Sequence, residues 1–218
     1  TDCPLFTGIN PEFDEVAYSV GVNVPGNKRA GMAFPDLDND GDLDFVANTN
    51  DPTYNSMVFY SDGAFPNPAY TVGSYCDAPR LSGRTRDRSL VSGDLNNDGW
   101  TDLVNNNYYQ IQLLFNDGTG KFPYNPNGYV AGCPNTGGIT DWTPGGGQLI
   151  FSYWTWVGLI YTNTGTSPTI DAEGVMLVDY DGDNDLDLIA QDERTGMTIW
   201  RNDCVGLNCT TFSMTRVS

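Results

Sequence analysis

The sequence predicts an all-β chain assembled from repeated units of short strands, and three observations carry that expectation. The first is composition: 25 Gly, 13 Pro and 12% aromatic residues among 218, a balance that suits short strands and tight turns better than helices. The second is a nine-residue Asp-rich stretch that occurs three times, each copy set between two apolar runs. The third is a shared downstream pattern: after each copy come another apolar run, a turn rich in Asp, Asn and Gly, and a last run opening near an aromatic residue. At 39% hydrophobic residues the chain has enough apolar surface for a core, and its length fits one domain or one repeat array.

The copies align without gaps. Asp36-Leu-Asp-Asn-Asp-Gly-Asp-Leu-Asp44 leads into Phe45-Val-Ala47, Asp94-Leu-Asn-Asn-Asp-Gly-Trp-Thr-Asp102 into Leu103-Val104, and Asp179-Tyr-Asp-Gly-Asp-Asn-Asp-Leu-Asp187 into Leu188-Ile-Ala190. Strand-like runs precede them at Ala30–Phe34, Ser89–Val91 and Val175–Val178. The next strand in each unit is Ser56–Tyr60, Ile111–Phe115 or Met197–Trp200, closed by Ser61-Asp-Gly, Asn116-Asp-Gly or Asn202-Asp203. The last runs from Phe65 to Val72, Phe122 to Val130 or Phe212 to Val217. The longer gap between Asp94 and Asp179 leaves room for a degenerate unit, with strands at Gln148–Ser152 and Val157–Tyr161 and a turn at Thr162-Asn-Thr-Gly165. That unit keeps only Asp141 as a carboxylate, so no ion is expected there. The expectation is therefore a single domain over 1–218, made of four units of four strands at about 31–75, 80–130, 137–170 and 173–218. Residues 1–30 form an N-terminal extension with one extra strand, Phe13 to Val22.

The loop spacing has a chemical reason. Oxygen side chains recur at loop positions 1, 3, 5 and 9, and calcium takes 6–8 oxygen ligands at about 2.3–2.6 Å. Position 6 has to turn sharply, which Gly41 and Gly99 allow freely and Asn184 tolerates. Position 7 offers a backbone carbonyl from Asp42, Trp100 or Asp185. Asp, Asn and Gly also make ordinary turns, but three copies in register between strands point past that reading. An EF-hand is excluded: position 12 is Ala47, Asn105 or Ala190 instead of Glu, and the flanks lack a helical period.

These loops and their flanks resemble the FG-GAP or VCBS-type repeat family, which includes the propeller of integrin α-subunits. The resemblance covers nearly the whole chain. It implies β-propeller blades, with a calcium ion in the loop that joins a blade's first two strands. The ligands it implies are Asp36, Asp38, Asp40, Asp42 and Asp44 in the first loop, and Asp94, Asn96, Asp98, Trp100 and Asp102 in the second. In the third they are Asp179, Asp181, Asp183, Asp185 and Asp187, for about three Ca2+ ions in all. Propellers of the family usually have seven blades, and only four units are present here. A closed four-bladed propeller and a partial one completed by another chain both remain open.

Charge and residue usage exclude other classes. The formal charge is −18, from 28 acidic and 10 basic residues, which disfavours nucleic acid and anionic membranes as partners. The chain has no histidine, so imidazole catalysis and His-held metals are out. It has no Gly-x-Ser-x-Gly elbow and no phosphate loop, and Asp141, Glu173 and Asp192 show no mutual spacing that suggests a site. No enzyme is expected. The longest apolar patch, Gln148 to Tyr161, is interrupted by Ser152, Thr155 and Gly158, too short and broken for membrane insertion. Cys204 and Cys209 flank a four-residue turn and are expected to bridge, while the pairing of Cys3, Cys76 and Cys133 stays open. Asn208-Cys209-Thr210 is a glycosylation acceptor. The start at Thr1 reads as a mature end after loss of a leader, or as a cut from a longer chain. Together these features point to a secreted, extracellular protein.

Two functions are carried forward. One is a calcium-stabilised extracellular scaffold, adhesion or self-assembling protein. It would form homo-oligomers or filaments through the extra strand or the Arg80, Arg84, Arg86, Arg88 cluster, or bind an extracellular protein. The alternative is a lectin that stacks glycans on Trp142, Tyr153, Trp154, Trp156 and Trp100. No Arg-Gly-Asp tripeptide occurs.

Overall fold

The computed structural model describes residues 19–22, 29–49, 57–64, 68–73, 87–107, 110–122, 147–149, 172–192, 196–204 and 214–217. Among these every regular element is a strand. The first sheet has the order β1 (Arg29–Ala33), β2 (Phe45–Thr49), β3 (Met57–Ser61), β4 (Tyr70–Val72). The second has the same order with β5 (Asp87–Gly93), β6 (Asp102–Asn107), β7 (Gln110–Leu114) and β8 (Gly147–Leu149). The third repeats it with β9 (Ala172–Val178), β10 (Asp187–Asp192), β11 (Gly196–Asn202) and β12 (Met214–Arg216). Every pairing is antiparallel between chain neighbours, and no sheet closes on itself.

The sheets stack through their faces, and alternation along the strands shows how. In the second sheet Leu103 pairs with Leu114, and both point toward the first sheet, joining Ala33, Val46, Val58 and Phe122. Their neighbours Val104 and Leu113 pair on the opposite face and meet Leu188, Ala190 and Trp200 of the third sheet. The middle sheet is thus buried on both sides, which is why β6 carries the adjacent apolar residues Leu103 and Val104 after Asp102 instead of an alternating pattern. Each fully buried Leu or Val here contributes roughly 1.5–3 kcal/mol by leaving water. The inner strands lie in the order β1, β5, β9, each beside the next. Polar contacts pin the same seams. Asn48 Nδ2 donates to Asn105 Oδ1 at 2.8 Å across the first seam, and Arg88 forms an ion pair with Glu173 across the second.

Residues 147–149 and 19–22 depart from the expected pattern. Among the described residues the sheet over 172–216 packs directly on the second, and Gly147–Leu149, expected within the unit at 137–170, completes the second sheet by pairing with β7. A strand edge is satisfied by any backbone that reaches it, and here the distant segment 147–149 reaches β7. Phe122 itself is buried between the first two sheets. The remainder of the proposed unit at 137–170 lies outside the described residues. The described end of the extra strand, residues 19–22, is a turn, with Gly21 at φ +87°. It docks on the first sheet, where the Val20 carbonyl accepts from Tyr70 N–H at 2.8 Å and Val22 packs near Phe45 and Phe59. Arg88 forms an ion pair with Glu173; Arg80, Arg84 and Arg86 lie outside the described residues.

Gly31 sets the spacing of the first seam. A Cβ there would lie 2.7 Å from the Leu90 nitrogen and 2.8 Å from the Ser89 carbonyl carbon, both backbone atoms that cannot rotate away. Gly174 in β9 faces open space. Gly31→Ala is therefore expected to destabilise the protein by about 1–3 kcal/mol through overpacking, while Gly174→Ala stays within about 0.5 kcal/mol of the parent. Urea denaturation of both variants checks the contrast.

Candidate metal centre

Each Asp-rich stretch forms the connection between the first and second strands of its sheet. The turn needs two left-handed residues. Asn39 and Gly41 have φ of 56° and 94°, and Asn97 and Gly99 have 54° and 86°. In the third loop the types are exchanged, with Gly182 at 84° and Asn184 at 74°. Gly and Asn are the residues that tolerate this region best. Spacing alone marks position 6 for this turn. Position 4 shares the requirement, and an Asn or Gly stands there in all three copies.

The carboxylates are folded inward by the loop's own amides. At position 1, Asp36 Oδ2 accepts from Gly41 N–H at 3.1 Å, Asp94 Oδ2 from Gly99 N–H at 2.8 Å, and Asp179 Oδ2 from Asn184 N–H at 3.1 Å. At position 5, Asp40, Asp98 and Asp183 each accept from the N–H two residues on. The result is convergence. Carboxylate oxygens of Asp36, Asp38 and Asp40 all lie within 4.8 Å of one another, as do those of Asp179, Asp181 and Asp187. Loop 94–102 has Asn96 at position 3, whose Nδ2 donates to Asp98 Oδ2 at 3.0 Å. Position 7 side chains turn elsewhere. Asp42 lies against Gly63, Trp100 lies near Gly118, and Asp185 accepts from Asn97; what position 7 offers an ion is therefore its backbone carbonyl.

Position 9 has a second task that spacing alone does not show. Asp44, Asp102 and Asp187 are buried, and each spans the loop. One oxygen accepts from the N–H at position 2, namely Leu37, Leu95 or Tyr180, at 2.8–3.0 Å. The other accepts from Ser61, Asn116 or Asn202 N–H at the end of the third strand region, at 2.8–2.9 Å. These aspartates tie the loop to the far turn of its own sheet.

Such crowding has electrostatic consequences. Burial pushes the Asp102 carboxyl up to about 8, against backbone hydrogen bonds that pull it down. Burial also raises Asp44, Asp94 and Asp38, and neighbouring Asp40 and Asp36 push Asp38 up further. Desolvation and the nearby Asp183 and Asp187 raise Asp181. In the first loop, Asp36 Oδ1 and Asp38 Oδ1 are buried without a hydrogen-bond donor. Buried polar atoms are seldom left so, and a cation between them would satisfy both. The donors are all oxygen, with neither imidazole nor thiol in any loop, so the set fits a hard divalent ion.

With this geometry in place, the family comparison becomes specific. Residues 36–104 match the model of the FG-GAP-like repeat. The chain carries an FG-GAP-type repeat. The match begins at Asp36, the first residue of loop 36–44, and ends in β6, so it includes two of the three loops. No curated protein matches the chain. The third loop lies beyond the matched FG-GAP segment but keeps the same strut and inward-turned carboxylates. Of the aromatic residues considered for glycan stacking, Trp142, Tyr153, Trp154 and Trp156 lie outside the described residues.

A pH dependence arises from Asp102. Its folded-state value exceeds the ordinary 3.8, so the folded protein binds the proton more tightly than the unfolded chain does. Its contribution is present below pH 3.8 and is lost as pH rises through about 8. In the presence of chelator, thermal stability is therefore expected to fall across that window, and Asp102→Asn should make the slope shallower. Melting curves at a series of pH values in chelator test this; a stability that rises across the window would contradict it.

Proposed function

We propose that the three loops are structural calcium sites and that the protein is an extracellular scaffold or adhesion-type module whose stacked sheets depend on those ions. The observation that carries this reading is the pair of buried, unpartnered Asp36 and Asp38 oxygens within a tight carboxylate group. The FG-GAP-type repeat supports both the calcium and the extracellular setting, and Cys204 is disulfide-bonded, which fits an oxidising compartment. The ligands would be oxygens of Asp36, Asp38, Asp40 and Asp44, of Asp94, Asn96, Asp98 and Asp102, and of Asp179, Asp181, Asp183 and Asp187, with the carbonyls of Asp42, Trp100 and Asp185. Three ions would move the formal charge from −18 to about −12.

We read the three sheets as blades of a propeller-type array, because each loop joins its blade's first two strands and the inner strands lie side by side. The chemistry required of the protein is binding alone; no acid–base pair or nucleophile is invoked. Contact with another extracellular protein or a second copy belongs to the same reading. Apolar side chains left exposed on the outward faces of the first and third sheets support it: Met32, Phe34 and Val72 on one, Met176 and Met197 on the other.

Calorimetric titration with calcium is expected to show about three sites, with Asp36→Ala, Asp94→Ala and Asp179→Ala each removing one. Ligand linkage stabilises the folded state by about 2.7 kcal/mol per site at a hundredfold excess over Kd, so chelator should lower the melting temperature markedly. An absence of binding heat, or a melting temperature indifferent to chelator, would refute the calcium reading. Cys204 is expected to pair with Cys209, and mass spectrometry of non-reduced peptides distinguishes that bridge from pairing with Cys3, Cys76 or Cys133.

A further inference from the structure

The loops are not independent of one another. Asn116 ends the third strand region of the second sheet, and its backbone N–H donates to Asp102 in loop 94–102 at 2.8 Å. Its side-chain Nδ2 donates to the Leu37 carbonyl in loop 36–44 at 2.8 Å, between the ligand positions Asp36 and Asp38, and to the Thr101 carbonyl at 3.2 Å. One buried residue thus holds two loops.

Asn202 repeats the arrangement one sheet further along. Its N–H donates to Asp187 at 2.8 Å, and its Nδ2 donates to the Leu95 carbonyl at 2.8 Å and to the Leu186 carbonyl at 3.3 Å. A second set of bonds runs in the opposite direction. Asn39 Nδ2 donates to the Gly99 carbonyl at 3.0 Å, and Asn97 Nδ2 to Asp185 Oδ1 at 2.6 Å. Each adjacent pair of loops is therefore tied twice, once from each side. At the corresponding place in the first sheet stands Ser61, whose N–H reaches Asp44 while its hydroxyl accepts from Gly63 N–H. Among the described residues the relay runs from loop 36–44 to loop 179–187.

We propose that Asn116 and Asn202 are positioning residues that couple the three loops, so that an ion in one raises the affinity of the next, with loop 94–102 as the hub. The inference rests on the calcium reading above and adds its regulation. An ion that orders Asp36 and Asp38 also fixes the Leu37 carbonyl between them. That holds Asn116 and, through it, Asp102 in the neighbouring loop, so part of the ordering cost of the second site is already met. Loop 94–102 has a partner on each side and the outer loops have one, so emptying either outer loop should weaken the middle one.

Trp100 makes the middle loop separately observable. It is the sole tryptophan within the three loops, so the part of the tryptophan-excited terbium luminescence that is lost in Trp100→Phe reports binding there. The full chain would be titrated with terbium in its parent form and as Asp36→Ala and Asp179→Ala. Terbium affinity at the middle loop should fall about fivefold or more in each variant. Adding Asp36→Ala to Asn116→Ala should cost less middle-loop affinity than Asp36→Ala costs the parent, because the Asn39 to Gly99 bond is then the remaining tie. Because Asn116 is buried, Asn39→Gly provides a second route. It keeps the left-handed backbone and removes one of the two ties, so it should reduce the Asp36→Ala effect. Middle-loop affinity within about twofold of the parent in both Asp36→Ala and Asp179→Ala would overturn the coupling, even if calcium binds all three sites. If calcium fails to displace terbium from the middle loop, the calcium reading falls and the coupling falls with it.

Discussion

Each connection between first and second strands gathers carboxyl or carboxamide oxygens at four positions within nine residues, turns them inward with the loop's own amides, and anchors the last of them in the protein interior. Mutual repulsion and lost hydration oppose that arrangement, as the upward displacement of Asp38, Asp44, Asp94 and Asp102 shows. The position 9 strut makes the loop inseparable from its sheet, since Asp44, Asp102 and Asp187 bond both the loop and the far turn. Side-by-side stacking is the consequence. Apolar side chains such as Leu103 and Val104, together with the Asn116 and Asn202 side chains, bind the sheets to one another.

Polar and apolar contacts divide the work between sheets differently from the way they divide it within one. Within a sheet the backbone ladder and the aspartate strut fix the register. Between sheets, apolar clusters supply most of the stabilisation, and a few directional bonds set the alignment: Asn48 to Asn105, Arg88 to Glu173, Asn116 to Leu37 and Asn202 to Leu95. The three asparagine contacts are buried and cost desolvation unless fully paired, so they specify which faces meet more than they drive the meeting.

The loops are legible in the sequence because a tight turn with converging carboxylates imposes a strict spacing on few residue types. The strands beside them are legible for a similar reason: Phe45, Val46 and Ala47, or Leu188, Ile189 and Ala190, have few uses other than a buried strand. The sheet to which Gly147–Leu149 belongs is not legible, because edge pairing is made by backbone atoms, which carry no residue signature. The turn at residues 19–22 is masked by the apolar alternation of Tyr18 to Val22, and Gly21 is the signal that marks it. The roles of Asn116 and Asn202 are hidden in ordinary turn residues, and aligning them with Ser61 shows that one copy differs. Position 9 reads only as a ligand, since spacing does not show that its carboxylate also accepts two backbone N–H groups.

The central claim is that loops 36–44, 94–102 and 179–187 each hold a calcium ion that the stacked sheets require. Native mass spectrometry of the chain in calcium counts those ions directly. The account predicts a dominant species with three bound ions, reduced by one in Asp36→Ala and converted by chelator to an ion-free form with a more unfolded charge distribution. A chain that keeps its compact charge distribution with no bound calcium, or one that takes up ions without a preferred number, would contradict it.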